Sequence, residues 1–368
     1  MTPDASVDED REAAVSLSVR RVALAVAAAS TLLLFLFTVR LLGAATEAAA
    51  PTLETAFRRL VVGDAGALGA GWLAAYLITN GSVVAALSVT LFAADVVTAT
   101  QSFLLMAGSR LGGAAIVLLI GGLEYLRKRR FSLRRATGLG VLTFLVTLTI
   151  YLPGTVLGYL ALPTVRPHLN ALAQSLGLSS RPIQVFGGLT EAVLSVTGPL
   201  LGFVLSLGLL FACIDLFDRL LKRVDTDFIR EHFFTRLRQR WVSFGIGLLV
   251  TGLTTSVAFS LGVIVPLYNR DYVTRREIVP YILGAGIGTF LDTLVVSVVL
   301  GRGRAAVLTL IGAGLAVTLL ALIAFDPYYD GITAVQDRLD ADRRLFAAFL
   351  GLLVAVPAAL LLLGALLP

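Results

Sequence analysis

Residues 245–300, which decide the fold, read GIGLLVTGLTTSVAFSLGVIVPLYNRDYVTRREIVPYILGAGIGTFLDTLVVSVVL. Two apolar runs flank a basic loop, and each run is broken, the first by Thr254-Thr255-Ser256 and the second by Gly284-Ala285-Gly286-Ile287-Gly288-Thr289. Such breaks free backbone amides and carbonyls, which lipid tolerates only where protein covers them or where they line a watery cavity. The pattern therefore favours a binding site at membrane depth over two plain transmembrane helices.

The same pattern occurs earlier in the chain, at one constant interval and without a gap. In both copies a broken apolar run is followed by an Asp in a short link and by a second run broken by Gly-x-x-x-Gly. The matched pairs are Gly71 with Gly247, Leu77 with Leu253, Thr79 with Thr255, Asp95 with Asp271, Gly108 with Gly284, Leu111 with Ile287, and Gly112 with Gly288. This order predicts an internal duplication, and paired interrupted segments in two halves point to a transporter's substrate site.

The composition is that of a membrane protein: 57% of the residues are hydrophobic and the mean hydropathy is +0.88. The net charge of +6 is carried mainly by arginines in short links between apolar runs, which is a topology signal and not a nucleic-acid patch. The single cysteine, Cys213, excludes an intrachain disulfide. With no metal-binding cluster, catalytic triad pattern or phosphate-loop motif, we expect no enzyme, no organic cofactor and no nucleic-acid partner.

The first half of the chain contains a tail, a span and two short arms. Residues 1–19 are polar and acidic and are expected to form a disordered tail, followed by the first transmembrane helix at 20–44; the alternative for this start is a signal peptide ending near residue 50. Residues 66–94 form two arms of about 12 residues, or about 18 Å of helix each, around Thr79-Asn80-Gly81-Ser82. Because the hydrocarbon core is about 30 Å thick, these arms form either one kinked span or a re-entrant hairpin.

The distribution of arginines chooses between these two. The basic link at 124–137 and the Arg20-Arg21 pair are placed in the cytoplasm. If span 22–43 goes out and 96–123 returns, residues 66–94 begin and end outside and form a re-entrant hairpin. The same rule makes 242–267 a second hairpin, entering from the inside. The copies are then inverted repeats, although the turn at 302–304 falls outside, against the rule.

The predicted fold class is an all-α polytopic membrane protein with two inverted-topology repeats, each with a re-entrant helical hairpin and a discontinuous transmembrane helix. Repeat 1 spans 66–163, with hairpin 66–94, broken helix 96–123 and helix 138–162. A transmembrane helix at 186–214 and a charged cytoplasmic link at 215–240 follow. Repeat 2 spans 242–325, with hairpin 242–267, broken helix 278–301 and helix 305–325, and a C-terminal transmembrane helix occupies 345–367.

The breaks supply two sets of candidate ligands. Hydroxyl and carboxylate oxygens beside freed carbonyls are hard ligands of the kind sodium takes, and the set comprises Thr79, Thr255, Ser256, Gly284, Gly286 and Asp292. Helix amino termini and a mid-span arginine attract anions, and this set comprises Ser109, Arg110, Asn80, Ser82, Ser256 and Thr289. The alternative is that small residues only let helices pack closely. Arg110 and Asp292 are expensive in lipid, so they are either functional or a structural ion pair.

These motifs resemble those of the type II sodium/phosphate cotransporter family, whose members carry two inverted Gln-Ser-Ser-Ser elements, each followed by Gly-Ala-Asn-Ile-Gly-Thr-Thr. Residues 284–289 are similar to the latter element with Gly286 in place of the Asn, and residues 108–113 match more loosely with Arg110 at that position. Thr255 and Ser256 stand for the Gln and first Ser, and residues 79–82 fill the four positions in the first copy. The resemblance covers 70–123 and 246–300 and implies a divergent member that retains neither Gln.

The resemblance implies a secondary active transporter that carries out sodium-coupled symport of inorganic phosphate. Sodium is then the coupling ion, and the partners are the lipid bilayer and a small inorganic anion, phosphate first. The expected location is the plasma membrane, with multiple spans and a cytoplasmic N-terminus. A symporter or exporter of another small anion and a non-transporting membrane scaffold remain open alternatives, as does homodimer formation. We further expect Arg110 to contact the anion and to pair with Asp292 when the site is empty.

Overall fold

The computed structural model describes residues 5–128, 138–175, 185–221, 238–257, 260–261, 264, 268 and 273–366. Within these ranges all regular structure is α-helical, as predicted. The helices are α1 (Ala5–Leu60), α2 (Gly63–Ile78), α3 (Gly81–Ala93), α4 (Ala99–Lys128), α5 (Gly138–Ser175), α6 (Gly187–Leu221), α7 (Arg240–Thr254), α8 (Arg275–Gly288), α9 (Phe290–Val299), α10 (Arg304–Ile323), α11 (Phe325–Ala341) and α12 (Arg343–Leu366).

Among the described residues, 6 helical segments are long and apolar enough to cross a bilayer. They are Val22–Leu60, Gly138–Ser175, Gly187–Leu221, Arg275–Val299, Arg304–Ile323 and Arg343–Gly364. Helix α4 has 30 residues, more than the roughly 20 that a transmembrane helix needs. The protein is therefore a multi-pass membrane protein. Large apolar side chains such as Leu160, Val196 and Leu201 are exposed on these helices, as expected for surfaces that face lipid.

Helices α2 and α3 are antiparallel arms that both pack on α4. The Ser102 hydroxyl donates to the Ser88 carbonyl at 3.0 Å, and Arg110 contacts Ser82, so α3 runs opposite to α4. Leu68 of α2 lies against Gly108 and Trp72 lies against Gly112, so α2 runs in the same direction as α4. The tip between the arms lies beside the middle of α4, because Gly81 lies against residues 109 and 113. The hairpin thus reaches only part of the way along α4.

The contacts between α7 and α8 repeat those between α2 and α4. Each close approach has a counterpart at the interval of the sequence duplication: Gly71–Leu105 with Gly247–Tyr281, Gly108–Leu68 with Gly284–Phe244, and Gly112–Trp72 with Gly288–Leu248. The helix before each break also ends in the same way, in left-handed backbone, with φ 56° and ψ 18° at Thr79 and φ 52° and ψ 14° at Thr255. Most of the chain from 258 to 272, including Asp271, lies outside the described residues.

The glycines do not unwind α4. The helix continues through residues 108–113, so the predicted break of this span is wrong. A Cβ atom at Gly108 would overlap the Leu68 carbonyl, and one at Gly112 would overlap the Trp72 carbonyl. These glycines therefore allow backbone-to-backbone packing of α2 on α4, which is the small-residue alternative. In the second copy the interruption is limited to Thr289 between α8 and α9, where φ −63° and ψ −16° stay right-handed.

Several helix ends differ from the predicted ones. Residues 5–19 are helical and continuous with α1 and do not form the predicted disordered tail; the acidic residues Asp8, Glu9 and Asp10 near the start suit a helix amino terminus. Residues 1–4 lie outside the described part. Helix α1 continues past residue 44 to Leu60 with Pro51 inside it, and α5 continues past 162 to Ser175 through Pro163 and Pro167. Between the helices predicted at 305–325 and 345–367 lies α11, an amphipathic helix that buries Ile332, Gln336 and Leu339.

Candidate ion and anion site

The guanidinium of Arg110, on α4, lies among side chains of α3, α9 and the residue that joins α8 to α9. Its Nη1 donates to the hydroxyls of Ser82 at 3.3 Å and Thr289 at 3.2 Å. Its Nη2 donates to Asp292 Oδ1 at 3.1 Å and to the Thr293 hydroxyl at 2.6 Å. Arg110 and Asp292 are 7% and 8% exposed, so their ion pair is buried. The pair joins the two copies of the sequence pattern.

One donor and one acceptor of this pair are unused. A guanidinium has five N–H groups, and the terminal nitrogens of Arg110 contact four oxygens, whereas Nε has no partner. Asp292 Oδ1 also accepts from the Thr293 hydroxyl at 2.7 Å and from the Thr293 amide, whereas Oδ2 has no partner. A buried polar atom without a partner costs about 1–3 kcal/mol. The arrangement thus keeps one donor and one acceptor for a ligand.

Two aromatic rings lie on one side of the ion pair. The Phe290 ring centroid lies 4.8 Å from the guanidinium carbon of Arg110, a cation–π contact. Tyr151, on α5, packs edge-on against Phe290 at 5.6 Å between centroids, and its hydroxyl donates to the Gly286 carbonyl at 2.5 Å. Apolar walls lower the local dielectric and strengthen the charge interactions inside them. Gly286 occupies the position in the second copy that Arg110 occupies in the first.

The structure brings four of the predicted site residues together: Ser82, Arg110, Thr289 and Asp292. It adds Thr293, Phe290 and Tyr151, which sequence reasoning missed. The available signal for Thr293 was its spacing, because it lies four residues after Thr289 and hence on the same helix face. Tyr151 comes from a helix outside both broken runs, and no local pattern indicates it.

Other predicted residues have local roles in this structure. The Asn80 side chain caps α3 by accepting from the amides of Ser82 and Val83 at 2.9 and 3.2 Å. The Ser109 hydroxyl donates to the Met106 carbonyl of its own helix at 2.7 Å, and the Thr79 hydroxyl donates to the Ile78 carbonyl. Neither Ser109 nor Asn80 thus points its oxygen to Arg110.

The remaining predicted ion ligands belong to the second copy. Thr255 and buried Ser256 lie at the end of α7. Gly284 lies where α8 packs on α7, because a Cβ there would overlap the Phe244 carbonyl. The Gly286 carbonyl is already an acceptor for Tyr151. Of the predicted sodium ligands, Asp292 is the one whose side chain contacts Arg110 in this structure.

Ion pairs also link the helix ends on two sides of the molecule. Arg302 binds both oxygens of Asp95 at 2.7 and 2.6 Å, and its hydrogen bond lowers the pKa of the Asp95 carboxyl. At the start of α8, Arg275 contacts Asp337 of α11 at 3.1 Å and Arg276 contacts Asp326. The Arg302 charge is therefore balanced by Asp95.

The fold and the site define a polytopic helical membrane protein with a buried charged centre among α3, α4 and α9. The family model described as Na+/Pi-cotransporter matches residues 200–328, which include Thr289, Asp292 and Thr293. The match confirms the resemblance predicted from the motifs for this part of the chain. The matched family model is that of a cotransporter. No curated protein and no solved structure matches the chain.

Proposed function

We propose that this protein is a secondary active transporter that couples the movement of sodium to that of inorganic phosphate in the same direction. The observation that carries the proposal is the buried Arg110–Asp292 pair, which has one unused donor and one unused acceptor, beside the family-matched segment. Buried charges inside a membrane protein are functional candidates by default. A guanidinium offers paired donors that match phosphate oxygens.

The proposed topology contains two inverted repeats, each with a re-entrant hairpin. The hairpin arms α2 and α3 have 16 and 13 residues, or about 24 and 20 Å, which is short of the roughly 30 Å hydrocarbon core. The equivalent contacts of α2 with α4 and of α7 with α8 support the duplication. We place the Arg302–Asp95 pair outside, and the Arg276–Asp326 pair and the N-terminus in the cytoplasm, in the plasma membrane.

In the proposed cycle Arg110 exchanges partners. It pairs with Asp292 in the empty site and binds the phosphate oxyanion when substrate is present, so the guanidinium always faces a negative charge. Sodium neutralises Asp292 in the loaded site, and the helix breaks at Thr79 and Thr255, with Ser256, line the path of the ion. Freed backbone at such breaks is the usual place for coupling ions in transporters built from repeats.

Uptake of radiolabelled phosphate into proteoliposomes tests this function. We expect uptake above that of protein-free liposomes when sodium is higher outside than inside, and little uptake when choline replaces sodium. Uptake that ignores the sodium gradient would refute sodium coupling. Unlabelled sulfate in excess should not compete; competition by sulfate with no competition by phosphate would point to another anion.

The alternative function is a non-transporting scaffold. The access of water to the site distinguishes a scaffold from a transporter. Single cysteines at positions 82 and 256 in a Cys213→Ser background should react with water-soluble thiol reagents if the site opens to water. Cys213 is buried and is removed so that it does not contribute to labelling. Resistance of both positions from both membrane sides, together with no uptake, would favour the scaffold.

A further inference from the structure

We propose that the four oxygens around the Arg110 guanidinium form a sodium site, and that the guanidinium occupies it when sodium is absent. The site comprises the Ser82, Thr289 and Thr293 hydroxyls and the Asp292 carboxylate. Sodium and Arg110 then compete for the same oxygens. This proposal rests on the proposed function, which identifies the transported anion as phosphate.

The chemistry of the oxygens supports a site for a hard cation. Three hydroxyls and one carboxylate converge on a single planar cation, and the guanidinium only donates. Oxygen ligands of this kind, with one full negative charge, suit small hard cations better than soft metals. The Ser82 hydroxyl comes from the hairpin, whereas the other three oxygens come from residues 289–293, so the site lies between the two copies.

A second observation points to a ligand other than arginine. Asp292 Oδ2 is buried and has no partner, so the guanidinium leaves part of the carboxylate unsatisfied. A smaller cation that sits closer to the carboxylate can use both oxygens. The Arg110 Nε–H is likewise unused. Arg110 therefore fills this site incompletely. Asp292 gains a contact when it binds sodium, and Arg110 gains one when it binds phosphate.

Charge balance links the exchange to coupling. The empty site holds one positive and one negative side chain and is neutral. When sodium enters, it neutralises Asp292 and leaves Arg110 without a counter-charge, and a singly charged phosphate restores neutrality. Either ion alone would leave an unbalanced charge in a buried site, which is unfavourable. Sodium and phosphate are thus expected to raise each other's affinity.

Direct binding of radioactive sodium to the purified full-length protein in detergent tests the competition. The variant Arg110→Ala removes the guanidinium and frees the four oxygens. The state that can bind sodium is then no longer a minor one, so the dissociation constant for sodium should fall about tenfold or more. Adding Asp292→Asn to this variant should abolish the gain. Arg302→Ala, which also removes an arginine paired with an aspartate but lies away from the site, should bind sodium like the wild type.

A folding defect is separated from a binding defect by a second variant and a second measurement. Arg110→Gln removes the charge but keeps most of the side-chain volume and should show the same gain in sodium affinity. In the wild type, saturating phosphate should lower the dissociation constant for sodium. Folded Arg110→Ala or Arg110→Gln protein that binds sodium no more tightly than the wild type would overturn the proposal, as would wild-type sodium binding that is unchanged by phosphate if neither variant folds.

The two proposals fail in different ways. Tighter sodium binding by the Arg110 variants without any phosphate uptake by the wild type would keep the cation site and refute the proposed transport function. Sodium-driven phosphate uptake with unchanged sodium affinity in the variants would keep the function and place the sodium site elsewhere.

Discussion

Replacing Arg110 by alanine removes the cation that faces Asp292 and, in sodium-free buffer, leaves a buried carboxylate without a counter-charge. Breaking a buried ion pair by removing one partner costs about 3–5 kcal/mol, whereas replacing both partners by apolar residues is often nearly neutral. The Thr289 and Thr293 hydroxyls, which also contact Arg110, have an alternative, because Ser and Thr in helices can donate to carbonyls of the preceding turn. Most of the loss should therefore come from the unpaired charge.

This reasoning predicts strong coupling in a double-mutant cycle of Arg110→Ala and Asp292→Ala. Each single variant should lose about 3–5 kcal/mol of unfolding free energy, and the double variant should lose far less than the sum, which gives a coupling of about 3 kcal/mol. Titration of the purified protein with a denaturing detergent in mixed micelles measures these free energies. Losses that simply add would refute the pairing.

Transport by the same variants separates function from structure. Arg110→Lys keeps the charge but loses the planar fork that matches phosphate oxygens, so the protein should fold and phosphate uptake should be abolished. Asp292→Asn should keep anion binding but weaken release or coupling. If Arg110→Lys transports normally, or if the double variant is stable and still transports, the pair is structural and the substrate site lies elsewhere.

Three further predictions concern the surroundings of the site. Gly108→Ala should destabilise the protein by about 1–3 kcal/mol, because the added Cβ overlaps the backbone of α2. Gly312→Ala should be tolerated, because the space around Gly312 is open. Thermal unfolding in detergent compares the two variants. Asn80→Ala should cost about 1 kcal/mol through the lost helix cap, whereas Asn80→Asp, whose carboxylate accepts the same bonds, should not, and the same thermal unfolding measurement compares them. The lowered pKa of Asp95 means that its pair with Arg302 stabilises the fold above the pKa of the unfolded state and that this contribution is lost as the pH falls through the folded pKa; Asp95→Asn should remove that acid-dependent part of the thermal stability.

The sequence by itself determined the class of protein and the position of its broken segments. Apolar runs of spanning length can only be helices or barrel strands in lipid, because every backbone polar group needs an internal partner. The small polar residues at 79–80 and 255–256 could be identified as breaks for the same reason, and the structure ends a helix at each threonine. The energetic penalty of charge in lipid singled out Arg110 and Asp292.

Tertiary structure decided what the glycines do and which side chains meet. Gly108 and Gly112 are compatible with either unwinding or close packing, and only the approach of α2 selects packing. Thr293 and Tyr151 join the site because α4, α5 and α9 pack around one point, and convergence of distant segments leaves no trace in a local pattern. The periodicity and the charges are properties of single segments, whereas the site is a property of how those segments pack.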